Sequence, residues 1–378
     1  VHGEQNAMAI LAGVDANRNR VDSDGIQATL VSDGGGAQVY MVGVDADSNT
    51  RGGVMLSVTG AVHDVYIGLI DVDADENAKT GIEVLAHSVL GDAVALLADS
   101  DTRGNGSHGT FIQLDAGGDA GLGATYCYSL ENELIGFRAG LSAGNDTYLF
   151  AGETAAEDLD AVFNYSADLG PLFGLIPTGP VDFSHNGMHG MMAYLASASS
   201  DVHVGVDGAA AGYNTMGGFQ IILSAPAGDV DVRIENTTAN MNAAGLKLQL
   251  YGVGGTADVW LGGITANGNG VGGGITVDNN YNGWVNVSGQ SLVSVNNSSY
   301  GVYLYSATGT PVFDFGGGAL GSPGLGSYYN NTLHAFRYDG PGTVSAENNW
   351  WGTAAPDGSL FSGSVDFAPW LVTDPNAP

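Results

Sequence analysis

The chain has 378 residues, 44% of them hydrophobic, and carries 40 acidic against 9 basic residues, which gives a formal net charge of −31. A field of this sign repels phosphate backbones and anionic lipid surfaces, so we expect no nucleic-acid partner. No uninterrupted apolar stretch approaches the ~18 residues that a membrane-spanning helix needs, so we expect no membrane insertion.

A set of glycines marks a repeat of about 28 residues along most of the chain. An apolar, any, apolar string follows nearly every one, as in residues 54–56 and 246–248, and this alternation is typical of a β-strand. A second strand family lies between the glycines at similar spacing, as in residues 65–67 and 230–234. The glycines are Gly25, Gly53, Gly81, Gly109, Gly136, Gly190, Gly218, Gly245, Gly274 and Gly301.

A repeat of 20–50 residues indicates supersecondary units that stack on their neighbours. Propeller blades run to roughly 40–50 residues, which is too long for this spacing. Two or three strands in 28 residues instead match one turn of a parallel β-helix. We therefore predict an all-β fold, a right-handed parallel β-helix of about twelve coils with ~28 residues per coil, over residues 1–345.

Acidic turns precede the glycines of the first four coils. Oxygen side chains at alternate positions resemble the opening of an EF-hand loop, but the glycine and the final glutamate of that loop are missing. Stacked coils would bring like charges to about 5 Å, which favours a cation between them. Two interpretations stay open: structural Ca²⁺, or a solvated ladder of polar turns. The candidate ligands are Asp15, Asn17, Asn19, Asp45, Asp47, Asn49, Asp73, Asp75, Asn77, Asp99 and Asp101.

The repeat is interrupted once, between Gly136 and Gly190. An acidic run and several prolines fill this interval, and proline does not suit a central strand. We predict a loop insertion at residues 142–180. Just after it, Asp182, His185 and His189 form the one cluster that mixes a carboxylate with imidazoles, and we interpret them as exposed turn residues.

Several aromatic residues lie on predicted strands, and an outward-facing row could stack on sugar rings. Strand alternation turns part of such a set inward, so core packing is the competing interpretation. The residues are Tyr40, Tyr66, Trp260, Trp284, Tyr303 and Tyr305.

The C-terminus carries the most specific motif, Glu-Asn-Asn-Trp-Trp-Gly-Thr at residues 347–353 followed by Asp-Phe-Ala-Pro-Trp-Leu at residues 366–371. This segment resembles the closing segment of secreted bacterial right-handed parallel β-helix proteins of the pectate-lyase-like superfamily. An open solenoid end exposes apolar core and unpaired strand edges, which such a segment can cover. We therefore predict a cap and tail at residues 346–378, built on Asn349, Trp350, Trp351 and Trp370.

The resemblance implies an extracellular or cell-surface location, and a chain that opens at Val1 fits a processed product. The superfamily includes lyases, hydrolases, adhesins and phage spikes, so the fold does not select among these activities. Its lyases use calcium-binding acids with an arginine or lysine base, whereas the cations here are isolated in sequence. They include Arg138, Arg233, Lys247 and Arg337.

Rods of this superfamily usually begin with an amphipathic capping helix, whereas residues 7–12 lead directly into the coil pattern. Either upstream sequence was removed, or a second molecule covers this end, and the second option would produce head-to-tail stacking, a contact that does not close. We expect a non-enzymatic structural or adhesive rod, such as a filament or surface-layer subunit, whose partners are further copies or a cell-surface polysaccharide. The alternatives are a polysaccharide lyase, a glycoside hydrolase, or a carbohydrate-binding spike.

Overall fold

A computed structural model describes residues 2–3, 6–20, 22–153, 155, 162, 179–252, 254–307 and 310–377. Over these residues the chain forms a parallel β-helix of about twelve turns with ~28 residues per turn, which confirms the predicted fold class.

Each turn contributes one strand to each of two large sheets. In chain order the strands are β1 (His2–Gly3), β2 (Ala7–Asp15), β3 (Ile26–Ser32), β4 (Ala37–Asp45), β5 (Val54–Gly60), β6 (Val65–Asp73), β7 (Ile82–Ser88), β8 (Ala93–Ala98), β9 (Thr110–Ala116), β10 (Ala120–Thr125), β11 (Phe137–Ala143), β12 (Thr147–Gly152), β13 (Val181–Asp182), β14 (Met191–Ser197), β15 (Val202–Asp207), β16 (Ala209–Ala210), β17 (Gly217–Ser224), β18 (Val230–Glu235), β19 (Ala244–Gly252), β20 (Thr256–Gly262), β21 (Gly273–Tyr281), β22 (Trp284–Gln290), β23 (Val302–Ser306), β24 (Thr310–Asp314), β25 (Phe336–Asp339), β26 (Val344–Ser345), β27 (Phe361–Ser362) and β28 (Val365–Asp366). A short 3-10 helix, Gly358–Leu360, precedes β27.

The first sheet has 13 strands in the order β1-β3-β5-β7-β9-β11-β14-β17-β19-β21-β23-β25-β27. The second also has 13, in the order β2-β4-β6-β8-β10-β12-β15-β18-β20-β22-β24-β26-β28. All pairings are parallel between residues one turn apart; Val54, for example, pairs with Ile26 on one side and Ile82 on the other.

A narrow third face closes each turn. The pair β13 and β16 lies on it, and single parallel bridges continue it in both directions along the axis. The bridged positions are Asp73, Asp101, Tyr128, Asp182, Ala210, Thr238, Thr265, Val293, Ser327 and Trp350. The third face is therefore only one or two residues wide.

The core lies between the faces and follows strand alternation. In β5, Val54, Leu56 and Val58 are buried, while the side chains between them are half-buried. Burying each such side chain contributes about 1.5–3 kcal/mol relative to exposure. The largest fully buried side chains are mostly aromatic and include Phe137, Phe183, Phe219, Phe315, Phe336, Tyr328 and Trp351.

An asparagine ladder runs inside the connection between the third face and the first sheet. From Asn49 onward, each Oδ1 accepts the backbone N–H of the asparagine one turn earlier, at 2.8–3.0 Å. Each such buried bond contributes about 1 kcal/mol net. The members are Asn19, Asn49, Asn77, Asn105, Asn132, Asn186, Asn214, Asn242, Asn269, Asn297 and Asn331.

The break in the repeat leaves no gap in the sheets, because β11 pairs directly with β14 and Asn132 bonds directly to Asn186. Strands β11 and β12 extend the regular turn to Gly152, so residues 142–152 of the predicted insertion belong to the coil. Apart from Ala155 and Val162, residues 154–178 lie outside the described residues.

The C-terminal residues form an aromatic layer across the last turns. Phe361 lies between Trp351, at 4.7 Å between ring centroids, and Phe367, at 4.1 Å. Trp370 follows Phe367 at 6.0 Å. Asn349 is buried and its amide donates to three backbone carbonyls, while Trp350 bridges Ser327 on the third face.

Candidate functional site

The acidic turns of the first four coils stack in register. Strands β2, β4 and β6 end at Asp15, Asp45 and Asp73, which pair in one column, and Asp73 bridges Asp101 in the next turn. Asp99 lies apart from this column, at the exposed bend that follows β8. The structure therefore brings most of the predicted ligands together along one edge of the rod.

Many of these side chains are already engaged in bonds between turns. Oδ1 of Asn17 accepts the backbone N–H of Asp47 at 2.5 Å, and Oδ1 of Asp47 accepts that of Asp75 at 2.7 Å. Oδ1 of Asp75 accepts the backbone N–H of Arg103 at 2.5 Å. The other predicted amide ligands, Asn19, Asn49 and Asn77, are members of the asparagine ladder.

Two carboxylate oxygens in this cluster have no hydrogen-bond partner among the described residues. They are Oδ1 of Asp45 and Oδ1 of Asp101, and both atoms are buried. Within the part of the chain that the structure describes, no three or more His, Cys, Asp or Glu side chains form a group that could hold a metal ion. Oδ1 of Asp45 and Oδ1 of Asp101 are thus orphaned, whereas Asn17, Asp47 and Asp75 use Oδ1 to accept backbone N–H groups of the next turn.

Stacking these carboxylates in register raises the pKa of two of them. Burial, followed by the charges of Asp101 and Asp71, raises the pKa of Asp73 to about 6. Burial and the neighbouring charges of Asp101 and Asp47 raise the pKa of Asp75 to about 7, although the N–H of Arg103 opposes the shift. Without a cation, the cluster therefore retains protons at a pH where isolated aspartates are fully ionised.

A second acidic ladder, which the sequence analysis missed, runs between the two large sheets. From Asp64 to Asp201, each Oδ1 accepts the backbone N–H of the aspartate in the next turn at 2.7–3.1 Å, and Oδ1 of Asp229 accepts the backbone N–H of Thr256 at 2.5 Å. In the sequence, each member stands directly before a strand of the second sheet, and this recurring position is the feature that could have identified the ladder. The members are Asp64, Asp92, Asp119, Asp146, Asp201 and Asp229.

The environment differs along this second ladder. Burial raises the pKa of Asp92 and of Asp119. Burial also acts to raise the pKa of Asp146, but hydrogen bonds from Ser200, Asp201 and Tyr148 outweigh it and hold that pKa below its ordinary value. The ladder thus joins turns through carboxylates that accept N–H bonds.

The predicted aromatic row divides between burial and exposure. Tyr40 is only 2% exposed and cannot serve as a platform for a ligand. Tyr66 donates its hydroxyl to Asp64, and Tyr303 donates to Asp339. Trp284, by contrast, is 63% exposed at the start of β22.

A shallow groove crosses the outer face of the second sheet. Tyr148, His203, Asp231, Asp258 and Asn286 form one column on consecutive strands from β12 to β22. A hollow of about 420 Å³ lies at the Tyr148 end of this column and one of about 170 Å³ at the Asn286 end, and Asp231 lines both.

Two aromatic groups in this groove contact defined partners. The Tyr148 ring stacks on His203 at 4.9 Å with an interplanar angle of 9°. Trp260 donates its indole N–H to Glu235 at 2.7 Å, and Glu235 also pairs with Arg233 at 3.0 Å. The groove therefore combines fixed rings with carboxylates and one guanidinium.

The mixed acid and imidazole cluster does not act as a unit in the contacts described. His185 is exposed and stacks on Tyr213 at 5.0 Å, whereas Asp182 lies in β13 on the third face. Burial lowers the pKa of His189. Among the predicted cations, Arg138 lies over the Phe111 ring and Arg337 pairs with Asp339.

Comparisons with protein-family profiles, curated proteins and solved structures find no match. No helix among the described residues is long and apolar enough to cross a membrane.

Proposed function

We propose that the protein is a non-enzymatic extracellular rod with a structural or adhesive role, and that it associates with further copies end to end. The observation that carries this proposal is the continuous bonding between turns from β1 to β28. Two sheets of 13 strands, together with the asparagine ladder, join the described turns into one stiff body with two different ends.

The use of the polar turn residues supports a scaffold role. Asp47, Asp75 and Asp92 direct their carboxylates at backbone N–H groups of the next turn, where they stabilise stacking. The net charge of −31 opposes lateral contact between parallel rods. The C-terminal resemblance supports the proposed cell-surface location.

Negative-stain electron microscopy of the purified full chain tests the proposal, together with incubation on polyuronates. We expect end-to-end assemblies and no release of unsaturated uronides. Monodisperse single rods that cleave the polysaccharide would refute it and favour a lyase.

The groove on the second sheet favours one alternative, a carbohydrate-binding spike. Fixed rings at Tyr148 and Trp260 suit stacking on sugars, and carboxylates between them suit hydroxyl groups. Asp231 and Asp258 would repel uronates, so this alternative commits to neutral glycans. Titration calorimetry with neutral oligosaccharides tests it: the Tyr148→Ala and Trp260→Ala variants should lose binding, and Tyr251→Ala on the first sheet should retain it.

A further inference from the structure

We propose that an apolar hollow at the edge of the first sheet binds a small anionic amphiphile, a molecule with an apolar chain or ring and one carboxylate, and that Lys247 pairs with the carboxylate. The hollow lies beside the starts of β17, β19 and β21, away from the groove on the second sheet. This inference goes beyond the proposed rod function and does not depend on self-association.

The hollow arises from a change in side-chain size along consecutive turns. The N–H of Met216 donates to the carbonyl of Met188, and the N–H of Ala244 donates to that of Met216, so these residues stack on one another. Where methionine gives way to alanine, a hollow of about 290 Å³ opens. This volume lies near the lower end of the roughly 300–1,000 Å³ of small-molecule sites, so it suits a small ligand.

The lining of the hollow is mostly apolar and partly uncovered. Phe219 lines it from the core, where it is buried, and Ala244 lines it at the sheet edge. Met216 and Val271 also line it, and both are exposed, Val271 to 85%. Exposed apolar side chains that meet at a concave surface mark a ligand or partner site, because covering them removes apolar area from water.

His189 adds an uncharged wall to the hollow. Burial lowers the pKa of His189, which keeps the imidazole neutral at pH 7. The ring lies against the backbone of Gly217, where a Cβ would come within 2.6 Å of Nδ1. This imidazole therefore extends the packing surface and supplies no charge that would select a ligand.

Lys247 supplies the charge of the site. It pairs with Gln220 and Thr276 on the adjacent strands, and it forms no ion pair with any described residue. The carboxylate of Asp278, in the next turn, instead accepts hydrogen bonds from two side-chain amides. The Lys247 ammonium is therefore available to a carboxylate of the ligand.

The turns around the hollow lack acidic residues. Residues 183–197, 208–224, 236–252 and 263–277 contain no aspartate or glutamate, although the chain as a whole has 40. The hollows of the second sheet, by contrast, are both lined by Asp231. An anionic ligand therefore meets less repulsion here than over the second sheet, whereas Lys247 opposes a cationic one.

Isothermal titration calorimetry of the full chain with octanoate, octanol and octyltrimethylammonium tests this site. We expect octanoate to bind most tightly and octyltrimethylammonium not to bind. Lys247→Met should weaken octanoate binding by about fivefold or more, because a charge-assisted hydrogen bond is lost, while octanol binding stays unchanged. Lys247→Arg should retain octanoate binding. The control is Lys79→Met, which alters the chain's other lysine, in the turn before β7, and should bind octanoate like the wild type.

A second variant tests the apolar part of the site. Val271→Asp places a carboxylate beside the hollow and should also weaken octanoate binding, whereas Leu90→Asp, at an exposed position between β7 and β8, should not. Nuclear magnetic resonance with methyl-labelled methionine should show that octanoate shifts the Met216 signal.

Circular dichroism confirms that each variant is folded before its binding is compared. No binding of octanoate, equal binding of octyltrimethylammonium, or an octanoate affinity that Lys247→Met leaves unchanged would each overturn this site. All three results would leave the proposed rod function standing.

Discussion

The asparagine ladder predicts a large loss of stability when a central member is removed. Asn186 is only 1% exposed, and its Oδ1 accepts the backbone N–H of Asn132 at 3.0 Å. Its amide donates to the carbonyls of Phe183 and Ser129, both at 2.9 Å. Asn186→Ala removes these bonds, and three buried backbone groups lose this partner: the N–H of Asn132 and the carbonyls of Phe183 and Ser129.

The expected cost follows from those groups. An unsatisfied buried donor or acceptor costs about 1–3 kcal/mol, so the loss of free energy of unfolding should be at least about 3 kcal/mol. Asn286→Ala is the matched control, because Asn286 lies on the outer face of β22 and makes one exposed bond, to Asp258. That variant should lose less than about 1 kcal/mol.

Urea unfolding followed by circular dichroism measures both variants, and hydrogen exchange reports whether the Asn132 amide loses protection. Asn186→Asp refines the test. It keeps an oxygen that accepts the Asn132 N–H, but it replaces the amide donor with a second acceptor oxygen that faces the carbonyls of Phe183 and Ser129. It should be at least as destabilising at neutral pH. Equal midpoints for Asn186→Ala and Asn286→Ala would refute the structural role of the ladder.

Three further predictions concern the acidic turns and the glycine repeat. The folded-state pKa values of Asp73 and Asp75 are raised to about 6 and about 7, so the folded protein binds more protons than the unfolded chain. Without Ca²⁺, the free energy of unfolding should therefore fall as pH rises from about 4 to about 7. Thermal midpoints measured across this range should show the fall, and Asp75→Asn should reduce it, whereas a flat profile would contradict the raised pKa values. We also expect Ca²⁺ to raise the thermal midpoint at neutral pH and a chelator to reverse the increase, while an unchanged midpoint would count against structural calcium. Finally, a Cβ on Gly190 would lie 2.4 Å from the carbonyl oxygen of Phe183, so Gly190→Ala should lower the melting temperature markedly, whereas Gly358→Ala, with open space around it, should not.

The coil architecture was accessible from the sequence because its signals are local and periodic. The glycine before each strand of the first sheet and the apolar alternation after it recur every turn, and strand alternation decides which side chains enter the core. Val54 and Leu56 illustrate this, since both were expected in a strand and both are fully buried.

The roles of the polar residues were less accessible. Asn49 and Asn77 fit the pattern of oxygen ligands in a turn, yet in the structure each accepts a backbone N–H from the turn before it. The aspartates before the second-sheet strands were overlooked for a related reason. An aspartate or asparagine in a turn has the same sequence signature whether it binds an ion, water or a neighbouring turn.

The sequence by itself therefore determined the repeat length, the strand positions and the identity of the core, because each depends on spacing within a single turn. Only the tertiary structure decided which polar side chains join turns, which aromatic rings stay exposed, and how the coil continues across its one interruption. Those features depend on contacts between residues roughly one turn apart, and 54 positions apart where Asn132 meets Asn186. Such contacts exist only once the turns have stacked.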